Sequence, residues 1–197
     1  CGAVKVDNIN ELIDTIKLLL YTKPIAGDRV GLAAMTGGQS VVITDAFSRE
    51  GFKVPLLSET SYSKFAAFFQ TLGASYRNPL DISLNFPYLD RIIKSIEILG
   101  EDENIDTVVL EISVPFLKDL SWINTNMFDT MIEAVADFKK RCVKSFITIL
   151  VPGHAEQEAL EVKKKLVAKD IPSFASFESG ARALRKTANY YHNKSSM

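Results

Sequence analysis

Short apolar runs recur along this chain, and each is separated from the next by a stretch with helical periodicity. Residues 29–35, 106–113 and 145–151 are nearly continuous in Val, Ile, Leu and Ala, as strands buried on both faces are. Residues 53–57 read as a shorter strand, and Pro55 within it cannot donate to a ladder, which argues for an edge position. Residues 171–175 read as a last, short strand. Helical patterns fill the intervals at 40–50, 58–72, 87–99, 125–140, 156–169 and 176–191. Gly51 and Gly100 stand where the first and third of these should stop, and Ser176 stands where the last should be capped.

Strands that alternate with helices require right-handed crossovers and a sheet covered on both faces. The expected fold class is therefore α/β, a flavodoxin-like (Rossmann-like) five-stranded parallel sheet in the order 2-1-3-4-5 with residues 53–57 at the edge. Ahead of it, residues 7–21 have the spacing of an amphipathic helix, with Ile9, Leu12, Ile13, Ile16, Leu19 and Leu20 on one stripe and Asp7 or Asn8 as cap. The expected organisation is an N-terminal helix and linker at 1–27, the main domain at 28–191 and a tail at 192–197.

The totals narrow the function classes. A net charge of −1 with dispersed basic residues gives no electrostatic reason to expect nucleic acid. The densest cluster, Lys163-Lys164-Lys165, precedes Leu166-Val167 and reads as the wet side of a helix. No apolar run approaches the roughly 20 residues needed to span a bilayer, so no membrane partner is expected. Cys1 and Cys142 form no disulfide framework, which fits a reducing, cytoplasmic setting. A chain that begins with Cys1 reads as a piece of something longer.

One turn has the local chemistry of an anion site. Thr36-Gly37-Gly38-Gln39-Ser40 joins the first strand to its helix. Glycines let the backbone turn tightly and approach a ligand, while a helix start offers unpaired N–H groups and the positive end of its dipole. Thr36 and Ser40 add hydroxyls. The alternative is a plain strand-to-helix turn, since two adjacent glycines lack both the dinucleotide spacing and a Walker lysine. The position, next to the switch point between strands 1 and 3, favours a ligand. Asn78-Pro79-Leu80-Asp81 could present Asn78 and Asp81 beside the same crevice, or could be a structural turn.

Other candidates carry less. His154 follows Pro152-Gly153 after the fourth strand and reads as a helix-start histidine rather than a base; His192 lies in the tail. Arg141 beside Cys142 would depress the thiol pKa, but no catalytic pattern surrounds it. Glu111 and Asp106 form no acid/base pair, and the histidines and cysteines are too widely spaced for a metal site.

The segments, in order, resemble the ADP-forming (nucleoside-diphosphate-forming) acyl-CoA synthetases, relatives of succinyl-CoA synthetase. The resemblance is carried by residues 2–12, by 29–40, by Pro55-Leu56-Leu57-Ser58-Glu59-Thr60, by Asn78-Pro79-Leu80-Asp81 as the family's Asn-Pro-x-Asp element, and by 171–184. It covers nearly the whole chain and points to the second flavodoxin-like domain of such an enzyme. It implies a module, inactive alone, that helps stabilise a phosphohistidine and joins CoA-binding, phosphohistidine and ATP-grasp domains. It also implies ATP or ADP, CoA and Mg for the complete enzyme, with no cofactor bound by this domain alone, phosphate as the local ligand, and a homo-oligomer as an open option. The helix that points at phosphate would begin at Gly37-Gly38-Gln39-Ser40, where many relatives have a third glycine in place of Gln39 or Ser40. Two rival readings are a flavin binder of flavodoxin type, using Phe116 and Trp122 after the third strand, and a noncatalytic interaction domain.

Overall fold

A computed structural model describes residues 3–85, 88–120 and 126–195 of the 197. Its centre is a five-stranded sheet in the order β2-β1-β3-β4-β5, with every pairing parallel. The strands are β1 (Val30–Ala34), β2 (Leu80–Asp81), β3 (Thr107–Ser113), β4 (Ser145–Val151) and β5 (Ser173–Phe174). The expected flavodoxin-like order holds. The three central strands are buried on both faces, because crossover helices cover each side.

Alternation along the strands feeds two cores. Val30, Leu32 and Ala34 of β1, Val109 of β3 and Ile147 and Ile149 of β4 meet Ile43 and Phe47 of α2 (Gly37–Arg49), Leu184 of α8 (Phe177–Ser195) and Leu18 of α1 (Ile9–Tyr21). Residues of the opposite parity, Ala33, Val108, Leu110 and Phe146, meet α3 (Glu59–Ala66), α4 (Leu89–Glu101), α6 (Met127–Arg141) and α7 (Glu156–Ala168). The helix after β1 thus lies on one face, and α5 (Val114–Leu120) and α6 lead from β3 to the other. The crevice between the carboxyl ends of β1 and β3 is the topological switch point.

Local chemistry sets the helix ends. Asn8, not Asp7, caps α1, accepting from Glu11 N at 3.0 Å. Ser58 caps α3 and Ser176 caps the start of α8, accepting from Ser61 N and Ser179 N at 3.3 and 3.1 Å. Each such cap contributes about 1 kcal/mol. Gly51 takes a φ of +82° just past α2, a conformation glycine reaches without a Cβ penalty. At the amino ends of the central strands, Asp106 accepts from Arg29 N, Nε and Nη2 at 3.0, 3.0 and 2.7 Å.

Several expectations need correction. Residues 53–57 are not the second strand: only Lys53 bridges Arg29, and the edge strand is Leu80–Asp81, from the segment read as a loop. Gly100 does not end its helix but lies inside α4, where a Cβ would stand 3.2 Å from Cys142 Sγ. The helix after Ser58 stops at Ala66 rather than near 72, α5 was not foreseen, and α8 runs on through His192 to Ser195. Trp122, and the helix starts proposed at Pro87 and Thr125, lie outside the described residues.

The face of α1 is also reversed. Glu11, Thr15 and Leu18 are its buried residues, and the helix lies along α8. Glu11 is 3.4 Å from Lys186 of α8. The apolar stripe faces outward instead, with Ile9 65%, Ile13 53% and Leu20 68% exposed.

Candidate functional site

The site is built where β1 ends. The chain leaves the sheet through buried Met35 and reaches Thr36, extended at φ −147° and the N-cap of α2. Thr36 Oγ1 accepts from Gln39 N at 3.2 Å and donates to Gln39 Oε1 at 3.0 Å. Ser40 is committed inward. Its N–H donates to Thr36 O at 2.9 Å, and its hydroxyl reaches Thr36 O at 3.1 Å and Leu80 O at 3.4 Å. Gly37 and Gly38 remain. Both are exposed, and as the first two helical residues they have no intrahelical acceptor for their N–H groups. A Cβ on Gly38 would meet nothing within 4 Å, so a ligand can approach there. Of the five residues expected at a phosphate, two offer open donors, two form the cap, and Ser40 is internal.

Asn78 and Asp81 take different places. Asn78 is buried and does not line the crevice. Its Oδ1 accepts from Leu32 N at 2.9 Å, and its Nδ2 donates to Val30 O at 2.9 Å and Pro55 O at 3.0 Å. Along the same edge of β1, Val30 N donates to Lys53 O and Ala34 O accepts from Ile82 N. The Asn78 amide therefore fills the gap between Lys53 and Leu80, where Pro55 has no N–H to give. Asp81 does reach the turn: its Oδ2 lies 2.9 Å from where a Gly37 Cβ would stand, while Oδ1 accepts from Ser83 N at 3.1 Å.

A further residue was passed over in the sequence. Glu111, on β3, stands one step beyond the last β1–β3 register pair, Ala33 with Leu110. It shares parity with Val109 and so faces the α2 side. It is fully buried. Its Oε2 accepts from Met35 N at 2.7 Å, and its Oε1 has no hydrogen-bond partner. Burial first, and the Asp81 charge as a smaller influence, push its pKa up to about 7 against the pull of the Met35 N–H. The signal in the sequence was a single carboxylate inside an otherwise apolar run, Val108-Val109-Leu110-Glu111-Ile112. Asp106 sits at the other end of the same strand with Arg29, so the two do not form an acid/base pair.

The remaining candidates lie apart. His154 is exposed in the turn between β4 and α7, and its charge acts on Glu158. His192 is exposed near the end of α8. Burial pushes the Cys142 thiol up, not down: the side chain is 7% exposed, and the Arg141 guanidinium is turned to Glu97 at 2.7 Å. Phe116 packs against the core rather than offering a free flavin platform. Among the described residues there is no cluster of three or more metal-ligating side chains, and no helix is long and apolar enough to cross a membrane. The widest cleft, 860 Å³ between residues 24–28 and the end of α8, is remote from Gly37 and Gly38, which sit on an open surface.

No protein-family model matches the chain. Among curated proteins it is 23% identical over 183 residues to the Pyrococcus furiosus acetate–CoA ligase [ADP-forming] II subunit alpha, covering 92% of this chain and 38% of the relative. It is 32% identical over 115 residues to acetate–CoA ligase [ADP-forming] I of Archaeoglobus fulgidus, covering 58% of this chain and 16% of that one. The fold matches a crystal structure of a Pyrococcus horikoshii OT3 protein with a TM-score of 0.77 at 21% identity, over 98% of this chain and 42% of the other. It also matches the dinucleotide-forming acetyl-coenzyme A synthetase 1 of Ca. Korarchaeum cryptofilum with a TM-score of 0.78 at 18% identity, over 99% of this chain and 40% of the other. The chain thus spans less than half the length of these relatives. Its homologues are subunits of ADP-forming acetyl-CoA synthetases, and the resemblance carried by its Gly37-Gly38 turn and its Asn78-Pro79-Leu80-Asp81 element is to a segment of those enzymes.

Proposed function

We propose that this chain is the phosphate-facing flavodoxin-like module of an ADP-forming acyl-CoA synthetase, inactive by itself. In this reading, the first turn of α2 directs the N–H groups of Gly37 and Gly38 at a phosphoryl group carried by a histidine of another domain. The observation that carries the proposal is that pair of open donors at the switch point, with free space over Gly38. The site is shallow, as a half-site completed by a partner would be. ATP or ADP, CoA and Mg serve the complete enzyme and are held by its CoA-binding and ATP-grasp domains, and the setting is the cytoplasm.

The joint to those domains is the outward stripe of α1, with Ile9, Ile13, Ile16 and Leu20 exposed. Contiguous apolar surface of this kind marks an interaction face. Val41 and Val42, 70% and 48% exposed on α2, extend such a surface toward the anion turn.

Gly38→Val tests the proposal in a synthetase reassembled from all its domains. The added side chain has room in this module, so its folding is kept. It occupies the approach to the N–H groups, so phosphoryl transfer falls at least ~10-fold, the equivalent of about 1.4 kcal/mol. Full activity in a folded variant would overturn the assignment.

A further inference from the structure

The start of α2 presents a contradiction if it receives a dianion. Two carboxyl groups stand at that turn. Asp81 Oδ2 lies 2.9 Å from the Cβ position of Gly37, and Glu111 holds Met35 N–H one residue before the cap. No basic side chain lies in the turn, which reads Thr36-Gly37-Gly38-Gln39-Ser40. With both carboxyls ionised, the field would oppose phosphate, and a helix dipole alone is a small counterweight.

Glu111 differs from Asp81 in its surroundings. Asp81 is half-buried at the sheet edge, whereas Glu111 is fully buried with Oε1 unpaired. A buried carboxylate with an empty lone-pair set is costly, while a carboxylic acid places a donor where the unpaired oxygen is. The groups facing Glu111 are few. Met35 N–H comes from β1, and Asp81 of β2 is the charged side chain that acts on it. Its register partner on β4 is the apolar Ile149. The first turn of α2 contains no ionisable side chain.

We infer that Glu111 is the proton-bearing gate of the anion site: it binds oxyanions at the Gly37–Gly38 turn as a neutral acid and repels them as a carboxylate. This rests on the proposed phosphate role and adds to it that anion capture is coupled to uptake of one proton by this chain. The proton goes onto Glu111, no bond in the anion changes, and release of the anion returns the proton to solvent. A phosphoryl group arriving at the turn would thus meet a buried acid. Loss of that proton would favour its departure.

Sulfate is the suitable probe, because it stays a dianion across the neutral range while phosphate does not. Binding is followed by amide chemical shifts of residues 36–40 on the whole chain at constant ionic strength, at pH 6 and pH 8. Since Glu111 ionises at about 7, wild-type affinity should fall roughly 10-fold between those values. Glu111→Gln keeps an acceptor for Met35 N–H and supplies a permanent N–H donor, so it should bind sulfate equally at both. In the unmutated chain, the ¹³C titration of the Glu111 carboxyl should move to higher pH when sulfate is added, which needs no variant to fold. Equal wild-type affinity at pH 6 and pH 8, with no movement of the carboxyl titration, would overturn the gate and leave the anion site standing. Absence of sulfate shifts at residues 36–40 at either pH would overturn the anion site, and the gate with it.

Discussion

Asn78→Ala should be among the most destabilising single truncations in this domain, although it removes no apolar core side chain. The amide makes three hydrogen bonds to backbone, to Leu32 N, Val30 O and Pro55 O. Leu32 and Val30 are fully buried, whereas Pro55 is partly exposed and its carbonyl can turn to water. Truncation leaves one N–H and one C=O orphaned inside the sheet. Each costs about 1–3 kcal/mol, so the loss is about 4 kcal/mol in total. For a domain of this size that lowers Tm by roughly 10 °C. Asn78→Asp should be no better, since it keeps the acceptor for Leu32 N but sets a carboxylate against two carbonyls. Urea unfolding followed by circular dichroism measures both, with the slope against urea expected to be unchanged. A loss below about 1 kcal/mol for Asn78→Ala would refute the claim that this side chain completes the edge of β1.

Glu111→Gln should alter the pH dependence of stability. The wild-type group has a raised folded pKa, about 7 against a usual 4.5, so its favourable contribution is full below about pH 4.5 and is lost as pH rises toward 7. The unfolded chain ionises this group over that window while the folded chain does not, a change of about 3 kcal/mol; urea titrations from pH 4.5 to 7.5 should lose this slope in the variant, and an unchanged slope would contradict the assignment. Ile13→Glu with Ile16→Glu, both exposed on α1, should change stability by less than about 0.5 kcal/mol yet weaken co-elution with the remaining synthetase domains; undiminished co-elution would remove α1 as the joint. The isolated chain should show no turnover with ADP, phosphate and a panel of acyl-CoA thioesters, and His154 should acquire no phosphate when the domains are combined with ATP. Turnover by the pure chain, or phosphohistidine at His154 by mass spectrometry, would contradict the module reading.

The sheet order was legible because buried parallel strands write themselves as apolar runs, and β1, β3 and β4 did so. The edge was not. Residues 53–57 have strand composition, but Pro55 cannot continue a ladder, and Leu80–Asp81 is too short for alternation to appear. A side-chain amide standing in for a peptide group leaves no periodic trace at all. The stripe on α1 was also legible as a stripe, yet periodicity does not say which face a helix buries. Here Glu11 turns inward beside Lys186 and the isoleucines turn out. At the turn, the glycines and Thr36 were readable from residue type alone. That Ser40 is spent inside the helix, and that Glu111 arrives from a strand 71 to 75 positions further along (111 minus 40 and 111 minus 36), follows only from the β1–β3 register.

The central claim is that Gly37 and Gly38 open the module to a phosphoryl group. Amide chemical shifts of the whole chain, titrated with inorganic phosphate at pH 6, test it most directly. The account predicts saturable shifts confined to residues 36–42 and strongest at the Gly37 and Gly38 N–H groups, whose donors are unspent. Shifts that cluster elsewhere, or none at millimolar phosphate, would contradict it and leave the turn as a structural connection between β1 and α2.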